Sequence, residues 1–236
     1  MTTGEYAAEF LNKERLNLSE RQISQLDIYY ELLIQKNKVM NLTAITDTEG
    51  VAIKHFYDSL TPLIYSSIDQ SSTIVDVGTG AGFPAIPLLI ARPDLKLTMM
   101  DSLNKRLLFL VEVCEQLDIN ARIVHSRAEE AGKNKLYREK FDYAVSRAVA
   151  ALPILCEYCL PLVKPSGKFI AMKGSNADSE LKLSGNAIKQ LGGELENIKK
   201  FKLPTGETRA LIIIRKVANT PLKFPRHASK IAKESL

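Results

Sequence analysis

The sequence predicts an α/β protein built on a doubly wound, mostly parallel sheet of seven strands, with a helical cap at its N-terminus. Two observations support this fold class. Beyond residue 72, short apolar runs typical of buried strands alternate with segments whose apolar residues recur at helical spacing. Before that point the apolar residues follow helical spacing alone, without strand-like alternation.

The predicted cap contains two helix-start signals. Ser19 and Gln22 have the spacing of a capping box ahead of a helical run of apolar residues. Thr46 and Glu49 repeat this spacing ahead of the apolar segment 51–63. Both segments are therefore expected to be helical.

Three units are expected along the chain: the cap over residues 1–66, the α/β domain over 67–218 and a basic tail over 219–236. Within the α/β domain, strands are predicted at 73–77, 96–100, 121–125, 141–146, 168–173, 195–201 and 209–215. Helices are predicted between them at 83–91, 103–117, 130–139, 151–163 and 177–191.

Composition favours a globular, cytoplasmic protein. The chain is 45% hydrophobic and 25% charged, no apolar run is long enough to span a membrane, and the acidic N-terminus lacks the apolar core of a signal peptide. Three cysteines, an odd number, suit a reducing cytoplasm better than a disulfide framework. Cys156 and Cys159 lie within a helical pattern and have no second pair, which predicts buried thiols and no metal site.

The most informative motif follows the first predicted strand. Asp76 lies inside that strand, and Gly78, Gly80 and Gly82 follow as G-x-G-x-G. Such glycines turn the chain sharply and leave backbone N–H groups uncovered for a ligand. A dinucleotide fingerprint needs glycine where Phe83 stands, which argues against NAD. An acid before G-x-G-x-G is the usual form of an S-adenosylmethionine loop, so Asp76, Gly78, Gly80 and Gly82 are expected to bind this cofactor. The alternative is a tight turn that binds nothing.

Further candidates end the next strands of the predicted sheet. Asp101 ends the second strand, where it is expected to bind ribose hydroxyls or, alternatively, to cap the following helix. Ala128 and Glu129 follow the third strand and suit an adenine edge, with helix capping as the alternative. Arg147 ends the fourth strand, where it is expected to have a functional role or, alternatively, to form a surface ion pair. Lys173 ends the fifth strand and is a similar but weaker candidate.

The net charge of +5 is concentrated after residue 214. That segment contains one acidic residue, Glu234, and six basic residues, namely Arg215, Lys216, Lys223, Arg226, Lys230 and Lys233. Together with Phe224, these cations favour contact with an anionic polymer. The alternative is a solvated, disordered tail.

Seven segments, taken in order, resemble one bacterial family. They are Met40–Ile45, His55–Leu60, Asp76–Pro84, Ser126–Glu129, Ser146–Ala148, Lys173–Gly174 and Thr220–Arg226. The glycine loop alone would identify only a cofactor class, but the combination is specific. It is similar to that of the 16S ribosomal RNA guanine-N7 methyltransferases, also known as glucose-inhibited division protein B.

This resemblance implies the class I S-adenosylmethionine-dependent methyltransferase fold, with S-adenosyl-L-methionine as cofactor. Gly78, Phe83, Ala128, Glu129 and Arg147 carry over as cofactor contacts. The implied substrate is guanine 527, in the 530-loop hairpin of 16S ribosomal RNA, as naked RNA or within the small subunit or its precursor. We expect a monomer that needs no membrane.

The expected machinery for this reaction is small. Guanine N7 has an in-plane lone pair, so no proton must leave before attack and in-line alignment is the main requirement. We expect Arg147 and Lys173 to be catalytic, and Lys223, Phe224 and Arg226 to bind RNA. The chain lacks the Pro-Pro-aromatic run of exocyclic amine methylases, and its cysteines, unlike the nucleophile of cytosine C5 methylases, lie within helical patterns.

Two other hypotheses stay open. A ribose 2′-O-methyltransferase would use a Lys-Asp-Lys-Glu set, of which Lys173 and Glu207 imitate two members, although Arg147 lies near the aspartate position. A non-catalytic cofactor-sensing or ribosome-binding protein would bind S-adenosylmethionine without methyl transfer. An oxidoreductase linked to NAD is disfavoured by Phe83.

Overall fold

A computed structural model describes residues 1–236. The helices are α1 (Thr3–Lys13), α2 (Glu20–Met40), α3 (Thr48–Val51), α4 (Asp58–Tyr65), α5 (Ala85–Ala91), α6 (Asn104–Leu117), α7 (Ala128–Ala131), α8 (Leu152–Cys159), α9 (Ala177–Gln190) and α10 (Ala228–Lys233). The strands are β1 (Thr73–Val77), β2 (Lys96–Asp101), β3 (Arg122–His125), β4 (Phe141–Arg147), β5 (Val163–Lys173), β6 (Gly193–Lys202) and β7 (Thr208–Lys216). No helix is both long and apolar enough to cross a lipid bilayer.

The seven strands form one sheet in the order β3-β2-β1-β4-β5-β7-β6. The first five in this order pair in parallel, and β7 runs antiparallel to both β5 and β6. The strand order reverses between β1 and β4, which places a crevice at the carboxyl ends of these strands. The doubly wound, mostly parallel sheet predicted from the sequence is confirmed.

Two predicted helices are shorter in the structure. The helix expected at 130–139 ends at Ala131, and Gly132 and a series of turns follow. The helix expected at 151–163 ends at Cys159, where a 3₁₀ turn containing Pro161 replaces the α-helix. Proline lacks the N–H that would continue the α-helical bonding, which accounts for the second difference.

The helix starts in the N-terminal region differ in outcome. The Ser19–Gln22 capping box is present as predicted. The second segment is helical as predicted, but its start signal is wrong by one residue, because Asp47 rather than Thr46 is the N-cap. The Asp47 carboxylate accepts a hydrogen bond from the Gly50 N–H at 2.7 Å. Helix α3 then continues through a π-helical segment, Ala52–Tyr57, into α4.

The N-terminal helices share a core with the α/β domain. Leu33 of α2 and Phe56 of the π-helical segment belong to the same buried apolar cluster as Ile86 and Leu110. The hydroxyl of Tyr29 donates to the Ala81 carbonyl at 2.6 Å. The cap therefore supports the loop that follows β1 through direct contacts.

The C-terminal segment is packed against the domain. Lys216 is fully buried, and its ammonium group donates to the Leu160 carbonyl at 2.6 Å and the Thr220 hydroxyl at 2.7 Å. The ring of Phe224 lies in the apolar cluster around α8 and is 3% exposed. Arg138 donates to the Phe224 carbonyl at 2.8 Å. The alternative of a solvated, disordered tail is therefore wrong for Lys216, Thr220 and Phe224.

Candidate functional site

A cavity of about 460 Å³, here called the main cavity, opens at the carboxyl ends of β1 to β4, beside the reversal of strand order. Its volume lies in the range of small-molecule sites. The predicted site residues that line it are Gly78, Gly80, Phe83, Asp101, Ala128, Glu129 and Arg147. Asp76, Gly82 and Lys173 do not line it.

The three glycines of the loop differ in how closely other residues pack against them. Gly78 has φ +74°, and a Cβ atom there would lie 2.5 Å from a Val149 methyl group. Gly80 has φ +61°, and a Cβ atom there would meet nothing closer than 3.9 Å, so its side is open. A Cβ atom on Gly82 would lie 2.7 Å from Ile86 and 2.8 Å from the Tyr29 hydroxyl. Gly82 therefore serves close packing, and its place outside the main cavity does not support the predicted contact with a ligand.

Asp76 lies beneath the loop rather than in the main cavity. Its side chain is fully buried, and neither carboxylate oxygen makes a hydrogen bond of good geometry. Burial raises the pKa of Asp76 to about 7; the Thr79 hydroxyl, the Ala85 N–H and the Arg147 charge oppose this rise in part. The predicted direct contact between Asp76 and a ligand is corrected to a supporting position under the loop.

Asp101 connects the loop after β1 to the segment that precedes α6. Its Oδ2 accepts a hydrogen bond from the Gly80 N–H at 3.0 Å, and its Oδ1 accepts one from the Leu103 N–H at 2.8 Å. Arg106 lies 3.5 Å from the same carboxylate. The capping alternative is wrong, because the N-cap of α6 is Leu103 and no side chain caps this helix. Asp101 instead holds the N–H groups of Gly80 and Leu103 while it lines the cavity. Ribose binding stays a prediction.

Glu129 provides an unpaired acceptor in the main cavity. Its side chain is 9% exposed, and its Oε1 is buried without a hydrogen-bond partner. The nearest cation is Arg127, at 3.6 Å from this oxygen. Buried polar atoms in native proteins usually have partners, so an unpaired carboxylate oxygen here fits a ligand that offers an N–H or O–H donor.

Arg147 is held in a buried ion pair rather than the surface ion pair considered above. Its guanidinium lies 3.1 Å from the Asp58 carboxylate and donates to the Lys54 carbonyl at 3.2 Å. It also lies 5.1 Å from the centre of the Phe83 ring. The N-terminal helices therefore fix the position of an arginine that ends β4.

His55 is a site residue to which the sequence analysis assigned no role. Its ring stacks on Phe83 with centroids 4.6 Å apart, and its Nε2 lies 2.7 Å from the Thr43 hydroxyl. Burial, followed by the positive charge of Arg147, lowers the pKa of His55 to about 4. The imidazole is therefore neutral at pH 7. The only sequence signal that points to His55 is its position in His55–Leu60, one of the seven segments that resemble the family.

Lys173 lines a separate cavity of about 350 Å³, here called the second cavity. It donates to the Ala150 carbonyl at 2.9 Å and lies 2.6 Å from the Glu180 carboxylate. His55, Arg147 and Ala148 line both cavities. The structure thus places Lys173 next to the main cavity but not in it.

Two of the three residues expected to bind RNA are already engaged in contacts within the protein. The Phe224 ring is buried, so no base can stack on it. Arg226 forms a two-pronged ion pair with buried Glu157, with Nε–Oε1 and Nη2–Oε2 distances of 2.9 and 2.7 Å. Lys223 is exposed, with its ammonium group 5.0 Å from the Phe224 ring centre. Of the three, only Lys223 is free to meet a phosphate.

Solved structures with the same fold agree with this architecture. The 16S rRNA (adenine(1408)-N(1))-methyltransferase variant from Catenulisporales acidiphilia, solved with its cosubstrate SAM, is similar with a TM-score of 0.51 and 16% identity. That match covers 64% of this chain and 87% of the other. The YcgJ protein from Bacillus subtilis is similar with a TM-score of 0.52 and 12% identity, over 68% and 99% of the two chains. At these identities the likeness shows the fold.

Sequence relatives define the family. Residues 22–212 match the family described as rRNA small subunit methyltransferase G. The chain is 51% identical to Ribosomal RNA small subunit methyltransferase G of Leuconostoc citreum over 221 residues, which are 92% of each chain. It is 48% identical to the protein of the same name from Bacillus subtilis over 218 residues, 92% of this chain and 91% of that one. The chain therefore belongs to the rRNA small subunit methyltransferase G family.

Proposed function

We propose that this protein transfers the methyl group of S-adenosyl-L-methionine to N7 of a guanine in 16S ribosomal RNA. The observation that carries the proposal is the main cavity, because the loop, strand-end and family-like residues converge there around an unpaired acceptor on Glu129. Family membership supports ribosomal RNA of the small subunit as the substrate. Guanine 527 is the target that the family resemblance implies.

The residues of the main cavity fit this cofactor. Gly78 and Gly80 line the cavity, and Gly80 leaves its backbone open on that side. Asp101 lies at the end of β2, where a carboxylate suits the hydroxyls of a ribose. The Glu129 Oε1 suits the exocyclic amine of adenine, because that oxygen lacks a donor in the protein. When bound, S-adenosyl-L-methionine supplies an activated methyl group on a sulfonium.

The chain's own residues would orient the reactants rather than move a proton. Guanine N7 has a free lone pair, so its methylation needs no general base. The lowered pKa of His55 keeps its imidazole neutral, and both ring nitrogens lie within hydrogen-bond distance of other groups of the protein, namely the Thr43 hydroxyl and the Lys54 carbonyl. Arg147 lies at the boundary of the two cavities, where its charge suits either the methionine carboxylate or guanine O6. Positioning and electrostatics are sufficient for this reaction class.

The 2′-O-methyltransferase alternative has less support. Lys173 lies 2.6 Å from the carboxylate of Glu180, and Glu207 lies 2.8 Å from the ammonium group of Lys54. The two residues that imitate a Lys-Asp-Lys-Glu set are thus each paired with another residue. A base-directed reaction is therefore the better account of the site.

The test uses 16S RNA and small subunits from a strain deleted for this gene, incubated with the protein and labelled S-adenosyl-L-methionine. Reduction followed by aniline cleavage should cut the labelled RNA at the target guanine, since 7-methylguanosine is cleaved in this way and a 2′-O-methyl group is not. Label without such cleavage would contradict N7 transfer. Comparing naked RNA, precursor and mature subunit identifies the substrate form, and we expect a monomer acting in the cytoplasm.

A further inference from the structure

The second cavity lies beside the main cavity at the same edge of the sheet. The ends of β4 and β5 build it together with the start of β7, where Ala210 pairs with Lys173. Because His55, Arg147 and Ala148 line both cavities, ligands in the two would meet at this shared wall. A methyl acceptor must lie next to the methyl donor, and the second cavity satisfies this requirement.

Four cations line the second cavity, and each has a carboxylate partner. The pairs are Lys54–Glu207 at 2.8 Å, Arg147–Asp58 at 3.1 Å, Arg209–Asp58 at 3.4 Å and Lys173–Glu180 at 2.6 Å. The side chains of Arg147 and Lys173 are 13% and 8% exposed, so they lie deep in the wall. Those of Lys54 and Arg209 are 33% and 25% exposed. These two cations are therefore placed to meet the phosphates of a bound nucleotide.

Asp58 joins two of these cations through a single oxygen. Its Oδ2 accepts hydrogen bonds from both Arg147 and Arg209. Its Oδ1 makes no hydrogen bond within the protein and is not among the oxygens sealed from solvent. Asp58 lines the second cavity, so Oδ1 is an acceptor that a ligand there can use.

We propose that the second cavity binds the acceptor guanosine and that Asp58 recognises it by accepting hydrogen bonds from N1–H and the 2-amino group. This inference rests on the proposed function. Guanine alone among the standard bases has two adjacent donors on its Watson–Crick edge, and an ionised carboxylate only accepts. Contact at that edge leaves N7, on the opposite side of the purine, free to face the methyl group.

The chemistry also explains discrimination against adenine. Adenine has an unprotonated N1 at the position where guanine carries N1–H, so its lone pair would face the carboxylate. A buried charge that loses its hydrogen-bond partner is costly, which makes such a site selective. The target base must leave its stack to enter the cavity, as bases do in other enzymes that modify them.

The test pairs a substitution in the RNA with one in the protein. Small subunits are reconstituted with 16S RNA carrying either guanosine or inosine at the target position; inosine keeps N7, O6 and N1–H but lacks the 2-amino group. We expect wild-type protein to prefer guanosine in kcat/KM by at least about tenfold, the effect of one hydrogen bond to a charged group. In Asp58→Asn the preference should fall to about threefold or less, because the amide keeps only one, uncharged, acceptor oxygen and the hydrogen bond that inosine lacks is therefore weaker.

Glu180→Gln is the matched control, since it neutralises another carboxylate of the second cavity. It should keep the wild-type preference for guanosine whatever its overall rate. A preference that persists in Asp58→Asn, or one that is lost in Glu180→Gln instead, would overturn the assignment to Asp58. Equal wild-type rates on guanosine and inosine would overturn it without any variant. Failure of the wild-type protein to methylate N7 of the guanosine substrate would instead refute the proposed function.

Discussion

Asp76→Asn should change how the stability of the protein depends on pH. Asp76 is fully buried without a well-formed hydrogen bond, and burial raises its pKa from 3.8 to about 7. Between these values an unfolded chain loses the proton that the folded chain retains, so the free energy of unfolding falls as pH rises. A pKa higher by about three corresponds to about 4 kcal/mol in total. About 3 kcal/mol of this fall lies between pH 4.5 and 7.

The assay is urea unfolding followed by circular dichroism, for wild type and Asp76→Asn, at intervals from pH 4.5 to 8. Asparagine cannot ionise, so the variant should gain about 3 kcal/mol relative to wild type across this range. The absolute difference at any one pH includes a constant cost of burying the amide, about 1–3 kcal/mol. The change of the difference with pH is therefore the decisive quantity.

Asp94→Asn is a control with the opposite sign. Its ion pair with Arg92, at 2.6 Å, holds the pKa of Asp94 well below its usual range. The stability that Asp94 contributes is present above its unfolded pKa and is lost as pH falls, so this variant should differ from wild type by a constant amount above pH 5. If the Asp76→Asn difference were equally constant, Asp76 would ionise normally in the folded protein and our account of the loop would be wrong.

The strands and the loop were predictable because their signals are local. Ile74, Val75 and Val77 form a β-branched run that suits a strand buried on both faces. Gly78 and Gly80 take positive φ, which glycine adopts without strain. Neighbouring residues alone determine these features, so the sequence reveals them without knowledge of the rest of the fold.

The failures concern residues whose environment is set by distant parts of the chain. Arg147 pairs with Asp58, 89 positions away, and nothing local to either residue indicates this. Arg226 likewise looks like a free cation of a basic tail until the fold brings it against Glu157, 69 positions away. Burial of charge depends on tertiary partners, and sequence patterns report such partners only when they are close in the chain.

Three further predictions test the site and the corrections to it. Gly80→Val should abolish S-adenosyl-L-methionine binding in calorimetry while circular dichroism stays normal, because valine rarely adopts φ +61° and its side chain would enter the main cavity. Asp101→Ala should weaken that binding at least about tenfold, through lost hydrogen bonds to ribose and the loop. An unchanged affinity would restrict Asp101 to its hydrogen bonds with the Gly80 and Leu103 N–H groups. Lys223→Ala and Arg226→Ala form a matched pair, since each removes one cation of the C-terminal segment. Arg226→Ala should lower the free energy of unfolding by roughly 3 kcal/mol, because it leaves Glu157, 1% exposed, without its cation. Lys223→Ala should leave stability unchanged but reduce the log–log salt slope of RNA binding by about 0.9. If filter binding instead showed the smaller slope for Arg226→Ala, with no loss of stability, Arg226 would have to leave Glu157 to contact the RNA.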